Sequence, residues 1–138
     1  MSKFTRRTFN KGLGATVALG ALTLPGSAPF AASHQAQVVI IGGGFGGATA
    51  AKYIKRFNHK ISVTLIEPSK NFITCPFSNT IIGGINDISY ITKNYNALKD
   101  LGVKVIHDMG SLIDGAGKKV KLVSGGSIGF DRCIVSPG

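Results

Sequence analysis

Apolar residues come in short, dense runs along this chain, and the spacing of those runs predicts strands alternating with helices. Gln37-Val-Val-Ile-Ile41 is β-branched and apolar after its first residue, the pattern of a parallel strand covered on both faces. Residues 48–57 predict a helix, and residues 61–66 a second strand that ends on Glu67. Strand, helix and strand in that order make one βαβ unit.

Beyond Glu67 the pattern changes. Residues 68–77 read as a loop, Ser78-Asn-Thr-Ile-Ile-Gly-Gly84 follows, and residues 87–101 predict a further helix. A third strand at 103–107 precedes a small meander at 111–114, 118–123 and 127–130, with turns at Gly115-Ala-Gly117 and Gly125-Gly126. Arg132-Cys-Ile-Val-Ser-Pro-Gly138 is an apolar strand ending in glycine. The fold class is therefore α/β, a Rossmann-like domain with a parallel sheet, crossover helices and a small antiparallel β-meander.

The junction of the first strand and helix carries the clearest chemistry. In Gly42-Gly-Gly-Phe-Gly-Gly47, residues Gly42, Gly44 and Gly47 satisfy the GxGxxG spacing. The first glycine allows the tight turn, the second lets the backbone approach a pyrophosphate, and the third lets helix and strands pack closely. The pyrophosphate then sits at the helix amino end, among free N–H groups and the positive end of the helix dipole. Glu67, at the tip of the second strand, is placed to accept hydrogen bonds from ribose hydroxyls. NAD and FAD share this fingerprint, and an acid with no arginine directly after it argues against NADP. The order of elements after Glu67 is that of the FAD half of a two-dinucleotide flavoprotein, which favours FAD.

Residues 1–33 are not expected to belong to the fold. They run from a basic head through the mildly apolar Gly12 to Leu24 into small residues around Gly26-Ser-Ala28 and Ala31-Ala-Ser33, the order of a signal peptide. Arg6-Arg7, followed by Phe9 and Lys11, resembles the twin-arginine export signal. A membrane anchor is the alternative, but the apolar stretch falls short of the roughly 20 residues that span a bilayer. Cleavage is expected near 28–33, leaving residues 34–138 as one domain in the periplasm. Substrates of that route are typically folded before export and often already hold a cofactor.

Losing Lys3, Arg6, Arg7 and Lys11 leaves twelve basic residues against six acidic ones. The basic excess is scattered, without the aromatic interleaving or long run of a nucleic-acid groove, and reads as a solvated surface. No His, Cys, Asp or Glu grouping has metal-ligand spacing. His107-Asp108 invites an acid–base reading, but the end of such a third strand normally meets adenine through its backbone. His34 and His59 stand alone, and Ser78 has no identifiable histidine partner.

Five segments together carry a resemblance: residues 38–55, Val63-Thr-Leu-Ile-Glu-Pro68, Thr74-Cys-Pro-Phe-Ser-Asn79, Ile82-Gly-Gly84 and Phe130-Asp-Arg-Cys-Ile-Val-Ser-Pro-Gly138. They closely resemble the flavoprotein subunit of flavocytochrome c sulfide dehydrogenase, a relative of the sulfide:quinone oxidoreductases. In that family FAD is held by a thioether from its isoalloxazine methyl group to the cysteine matching Cys75. The family oxidises sulfide in the periplasm and passes electrons to a c-type cytochrome subunit. The resemblance thus implies covalently attached FAD, sulfide as substrate and a c-type cytochrome as partner. With the fingerprint, it makes Gly42, Gly43, Gly44, Gly46, Gly47, Glu67, Pro68, Cys75, Ser136 and Gly138 the cofactor-binding set.

Two other fates stay open for Cys75: an unlinked thiol, or a disulfide with Cys133, since exported proteins often oxidise their cysteines. Cys133 falls inside an apolar strand and is expected to pack in the core. In the family a separate cysteine pair on the other flavin face receives sulfide, from sequence beyond the segment represented here. No catalytic residue is therefore expected in residues 34–138, and the segment is expected to be the incomplete, separately inactive FAD portion of a longer enzyme. A sulfide:quinone oxidoreductase and a non-catalytic FAD-binding fragment are the alternative functions.

Overall fold

The computed structural model describes residues 35–137. The export signal expected at 1–33, His34 and Gly138 lie outside the described residues.

The leading apolar run forms β1 (Gln37–Ile41), an inner strand of a four-stranded sheet. Beside it lie β2 (Ser62–Ile66) and, beyond that, β5 (Val103–Ile106), while β9 (Arg132–Val135) flanks it on the other side. All three pairings are parallel, with Val38 opposite both Val63 and Arg132, and Val63 opposite Val103. Parallel neighbours need crossovers, and α1 (Phe45–Phe57) supplies the first. It begins three residues before the expected start at 48, because Phe45, Gly46 and Gly47 are already helical.

Both faces of the sheet are covered, which is why its strands carry unbroken apolar runs rather than alternating ones. On one face Ile40, Val63, Leu65 and Val103 pack with Ala51 of α1 and with Tyr95 and Leu98. On the other, Val39 and Ile66 meet Val120, with Ile41, Leu122, Ile128, Phe130 and Cys133 closing around them. Val120 comes from the antiparallel meander of β6 (Gly110–Asp114), β7 (Lys119–Leu122) and β8 (Ser127–Gly129). Burying each such aliphatic side chain is worth about 1.5–3 kcal/mol relative to leaving it in water.

The expected helix at 87–101 and the expected loop at 68–77 both need correction. The first is a 3-10 turn (Ile88–Ile91), a strand β4 (Thr92–Asn94) and a short helix α3 (Asn96–Asp100). The second contains β3 (Asn71–Ile73), which pairs antiparallel with β4. Short polar side chains compete for the backbone here: Asp87 accepts from the Ser89 N–H at 2.9 Å, and Asn94 from the Asn96 N–H at 3.1 Å. Those bonds break the helix where periodicity alone continues it. Between the two pieces, α2 (Ser78–Ile82) occupies a single turn and a half.

Candidate functional site

The turn from β1 into α1 is set by packing of the protein against itself. Gly42 has φ +98°, and a Cβ there would collide with the Ser136 carbonyl. A Cβ on Gly47 would strike the Gly42 carbonyl, so the first and third glycines of the fingerprint are required by the turn alone. Ser136 closes the far side: its N–H donates to the Ile41 carbonyl at 2.8 Å, and its Oγ lies 2.6 Å from where a Gly46 Cβ would stand. Asp131 anchors that same strand at its other end. Its Oδ2 accepts from the Gln37 N–H and its N–H donates to the Gln37 carbonyl, both at 2.8 Å.

Gly44 is different. Its backbone lies in the extended region at φ −67°, and a Cβ there would meet only the ring of Phe72, at 3.7 Å. Nothing in the protein demands glycine at that position. The adjoining amino end of α1 has no acidic residue in its first turn and no side-chain cap, so its N–H groups are offered to solvent or ligand.

Glu67 reaches back to this loop. One carboxylate oxygen accepts from the Gly43 N–H at 2.7 Å and the other from the Ser69 N–H at 2.9 Å. The residue expected to meet ribose thus first holds the glycine turn, with lone pairs left over for a second donor. Tyr95, which sequence reasoning missed, donates its hydroxyl to the Gly43 carbonyl at 3.1 Å. Burial, then the nearby Glu67 charge, pushes its phenol pKa up and keeps it a donor. No local signal marks that tyrosine, which stands 52 positions from its partner.

A cleft of about 310 Å³ opens beside this turn, lined by Gly42, Glu67, Pro68, Asp108, Met109 and Pro137. Pro68 therefore lines the cleft together with Gly42, while Ser136 meets the glycine turn itself, at Gly42 and Gly46. Asp108 shapes its wall, accepting from the Ser124 hydroxyl at 2.5 Å and from the Met109 N–H at 2.7 Å. Those two bonds hold its carboxyl below the usual range. His107 is engaged separately, its Nδ1 lying 3.2 Å from the Glu67 carbonyl oxygen.

Cys75 is a free, exposed thiol between Thr74 and Pro76. Thr74 pins this stretch by donating its N–H and hydroxyl to the Ile91 carbonyl, at 3.0 and 3.1 Å. A second cleft, about 280 Å³, lies alongside, lined by Phe45, Thr74, Pro76, Phe77, Tyr90 and Lys93. Phe77 has φ +69°, a conformation a bulky residue rarely adopts, and its ring meets Tyr90 edge-on at 5.9 Å. Cys133 is half-buried beneath the meander, and burial pushes its thiol pKa up. Both thiols are free, so the disulfide alternative is set aside. Among the described residues no three His, Cys, Asp or Glu side chains gather as a metal site, and no helix is long and apolar enough to cross a membrane.

The family model described as pyridine nucleotide-disulphide oxidoreductase matches residues 36–138. The sulfide dehydrogenase (flavocytochrome c) flavoprotein chain of Chlorobaculum thiosulfatiphilum is 58% identical over 45 residues, which are 33% of this chain and 94% of that sequence. The mitochondrial sulfide:quinone oxidoreductase of Mus musculus is 26% identical over 119 residues, covering 86% of this chain and 26% of the relative. Among solved structures, the sulfide:quinone oxidoreductase of Aquifex aeolicus superposes with a TM-score of 0.70 at 25% identity, over 75% of this chain and 24% of that one. The chain spans about a quarter of the length of both sulfide:quinone oxidoreductases.

Proposed function

We propose a function that proceeds from the family to which this chain belongs, the pyridine nucleotide-disulphide oxidoreductases. It is the FAD-binding portion of a periplasmic, twin-arginine-exported oxidoreductase that takes electrons from sulfide and passes them to a c-type cytochrome. The observation that carries this reading is Cys75, a free and exposed thiol eight residues after Glu67 whose neighbours Thr74 and Pro76 line an aromatic cleft. The name of the Chlorobaculum relative, a flavoprotein chain of a flavocytochrome c, supports the cytochrome as electron acceptor.

The residues present fit FAD. Gly44 has no steric requirement for glycine within the protein, a Cβ there meeting Phe72 only at ordinary contact distance, and the uncapped amino end of α1 offers donors to an anion. Gly42, Gly43, Gly44, Gly46 and Gly47 would hold the pyrophosphate through backbone groups, with Glu67, Pro68 and Ser136 bordering the nucleotide. Cys75 would hold the ring system through a thioether to its methyl group. FAD, when bound, supplies the electron acceptor that side chains lack, and the protein supplies position and electrostatic tuning. The tether keeps the cofactor with the protein after export. Cys133, half-buried beneath the meander, serves as core packing.

The second reading is a sulfide:quinone oxidoreductase, favoured by the breadth of the match to the mouse and Aquifex proteins. One experiment separates the two. The native protein containing this chain is purified, sulfide is added without oxygen, and reduction of c-type cytochrome and of quinone is followed side by side. Cytochrome reduction is the expected result. Reduction of quinone alone moves the assignment to the second reading, and reduction of neither overturns both.

A further inference from the structure

Gly43 is held from two sides, and the two holds act on different peptide planes. The Glu67 carboxylate takes the N–H of the Gly42–Gly43 peptide at 2.7 Å. The Tyr95 hydroxyl donates to the carbonyl of the Gly43–Gly44 peptide at 3.1 Å. A trans peptide is planar, with C=O and N–H pointing in opposite directions. Aiming the Gly43 carbonyl at Tyr95 therefore aims the Gly44 N–H away from Tyr95. That N–H leads into the α1 amino end, beside the one fingerprint glycine whose absent side chain the protein does not need.

Glycine leaves the backbone free to rotate here, and something else must fix it. The space around Gly43 does not permit a side chain, since a Cβ would lie 2.5 Å from the Tyr95 oxygen and 2.8 Å from Glu67 Cγ. Tyr95 itself is immobilised. It is 4% exposed and packs with Ile40, Leu65 and Leu98 in the helix-side core. Its hydroxyl thus carries the rigidity of the core to the loop.

We propose that Tyr95 is a positioning residue for the pyrophosphate of the bound dinucleotide, acting through the Gly43–Gly44 peptide to hold the Gly44 N–H toward the ligand. The inference rests on the FAD-binding reading and adds to it a residue 28 positions beyond the acid of the fingerprint.

Tyr95→Phe, made in the full chain in a Cys75→Ala background where FAD binds reversibly, removes the hydroxyl and keeps the buried ring. Three quantities are measured: FAD affinity, the thermal midpoint without ligand, and the amide resonance of Gly44 in the ligand-free protein. The expected result is a three- to tenfold loss of FAD affinity, the size of one lost hydrogen bond. The Gly44 resonance shifts while the thermal midpoint stays within a few degrees. Unchanged affinity, an unmoved Gly44 resonance, or failure of the variant to fold each overturns the positioning role, the last because it makes the hydroxyl a structural requirement. Failure of the wild-type chain to bind FAD at all strikes the underlying reading instead, so the two failures are distinct.

Discussion

The Glu67 carboxylate lies 2.7 Å from the Gly43 nitrogen and accepts its N–H, tying the tip of β2 to the turn that follows β1. This bond lies wholly within the protein. Glu67→Ala leaves a half-buried N–H without its charged acceptor, which costs about 1–2 kcal/mol. Urea unfolding of the ligand-free protein is expected to show that loss. An unchanged midpoint would mean that the carboxylate serves the ligand alone.

Gly44 and Gly42 are expected to separate ligand binding from folding. Gly44→Ala places a methyl at ordinary contact distance from Phe72, so stability stays within about 0.5 kcal/mol while FAD affinity falls at least about tenfold. Gly42→Ala forces a side chain onto positive φ and into the Ser136 carbonyl, and costs more than about 2 kcal/mol. Calorimetry in a Cys75→Ala background, with and without FAD, reads both variants. Equal stability losses in the two would contradict the division.

Cys75 predicts where flavin colour goes. Acid-precipitated wild-type protein is expected to keep its yellow colour through washing, and Cys75→Ala to lose it. Colour that washes out of the folded wild-type protein's pellet rules out the thioether.

Asp108 gives a pH dependence of known sign. The Ser124 hydroxyl and the Met109 N–H lower its pKa in the folded protein, so the stability it contributes is fully present above the unfolded carboxyl value of about 3.9. That contribution disappears as pH falls through the folded value. Thermal midpoints between pH 6 and 2.5 are expected to fall less steeply in Asp108→Asn than in wild type (a range set around about 3.9). Parallel curves would show that the carboxylate does not prefer the folded state.

Much of the framework is written locally. The apolar runs of β1 and β2, the glycines between them and the terminal acid specify a βαβ unit, because burial on both faces and a tight turn each impose a residue type at a fixed spacing. The meander is marked in the same way, by short strands between glycine turns. The sequence also singled out Cys75 and Phe130-Asp-Arg-Cys133. That Asp131 binds both backbone groups of Gln37, 94 positions away, depends on where β9 is inserted beside β1.

Tertiary structure decided the rest, since hydrogen-bond partners distant in sequence are chosen by the path of the chain and not by periodicity. It broke the helix expected at 87–101, paired β3 with β4, and left both cysteines free. It also turned Tyr95 from an unremarked residue of that expected helix into the donor that holds Gly43. The sequence by itself determined a glycine turn between a strand and a helix; only the folded chain could supply the buried hydroxyl and the carboxylate that hold the turn still, because both arrive from other strands and loops.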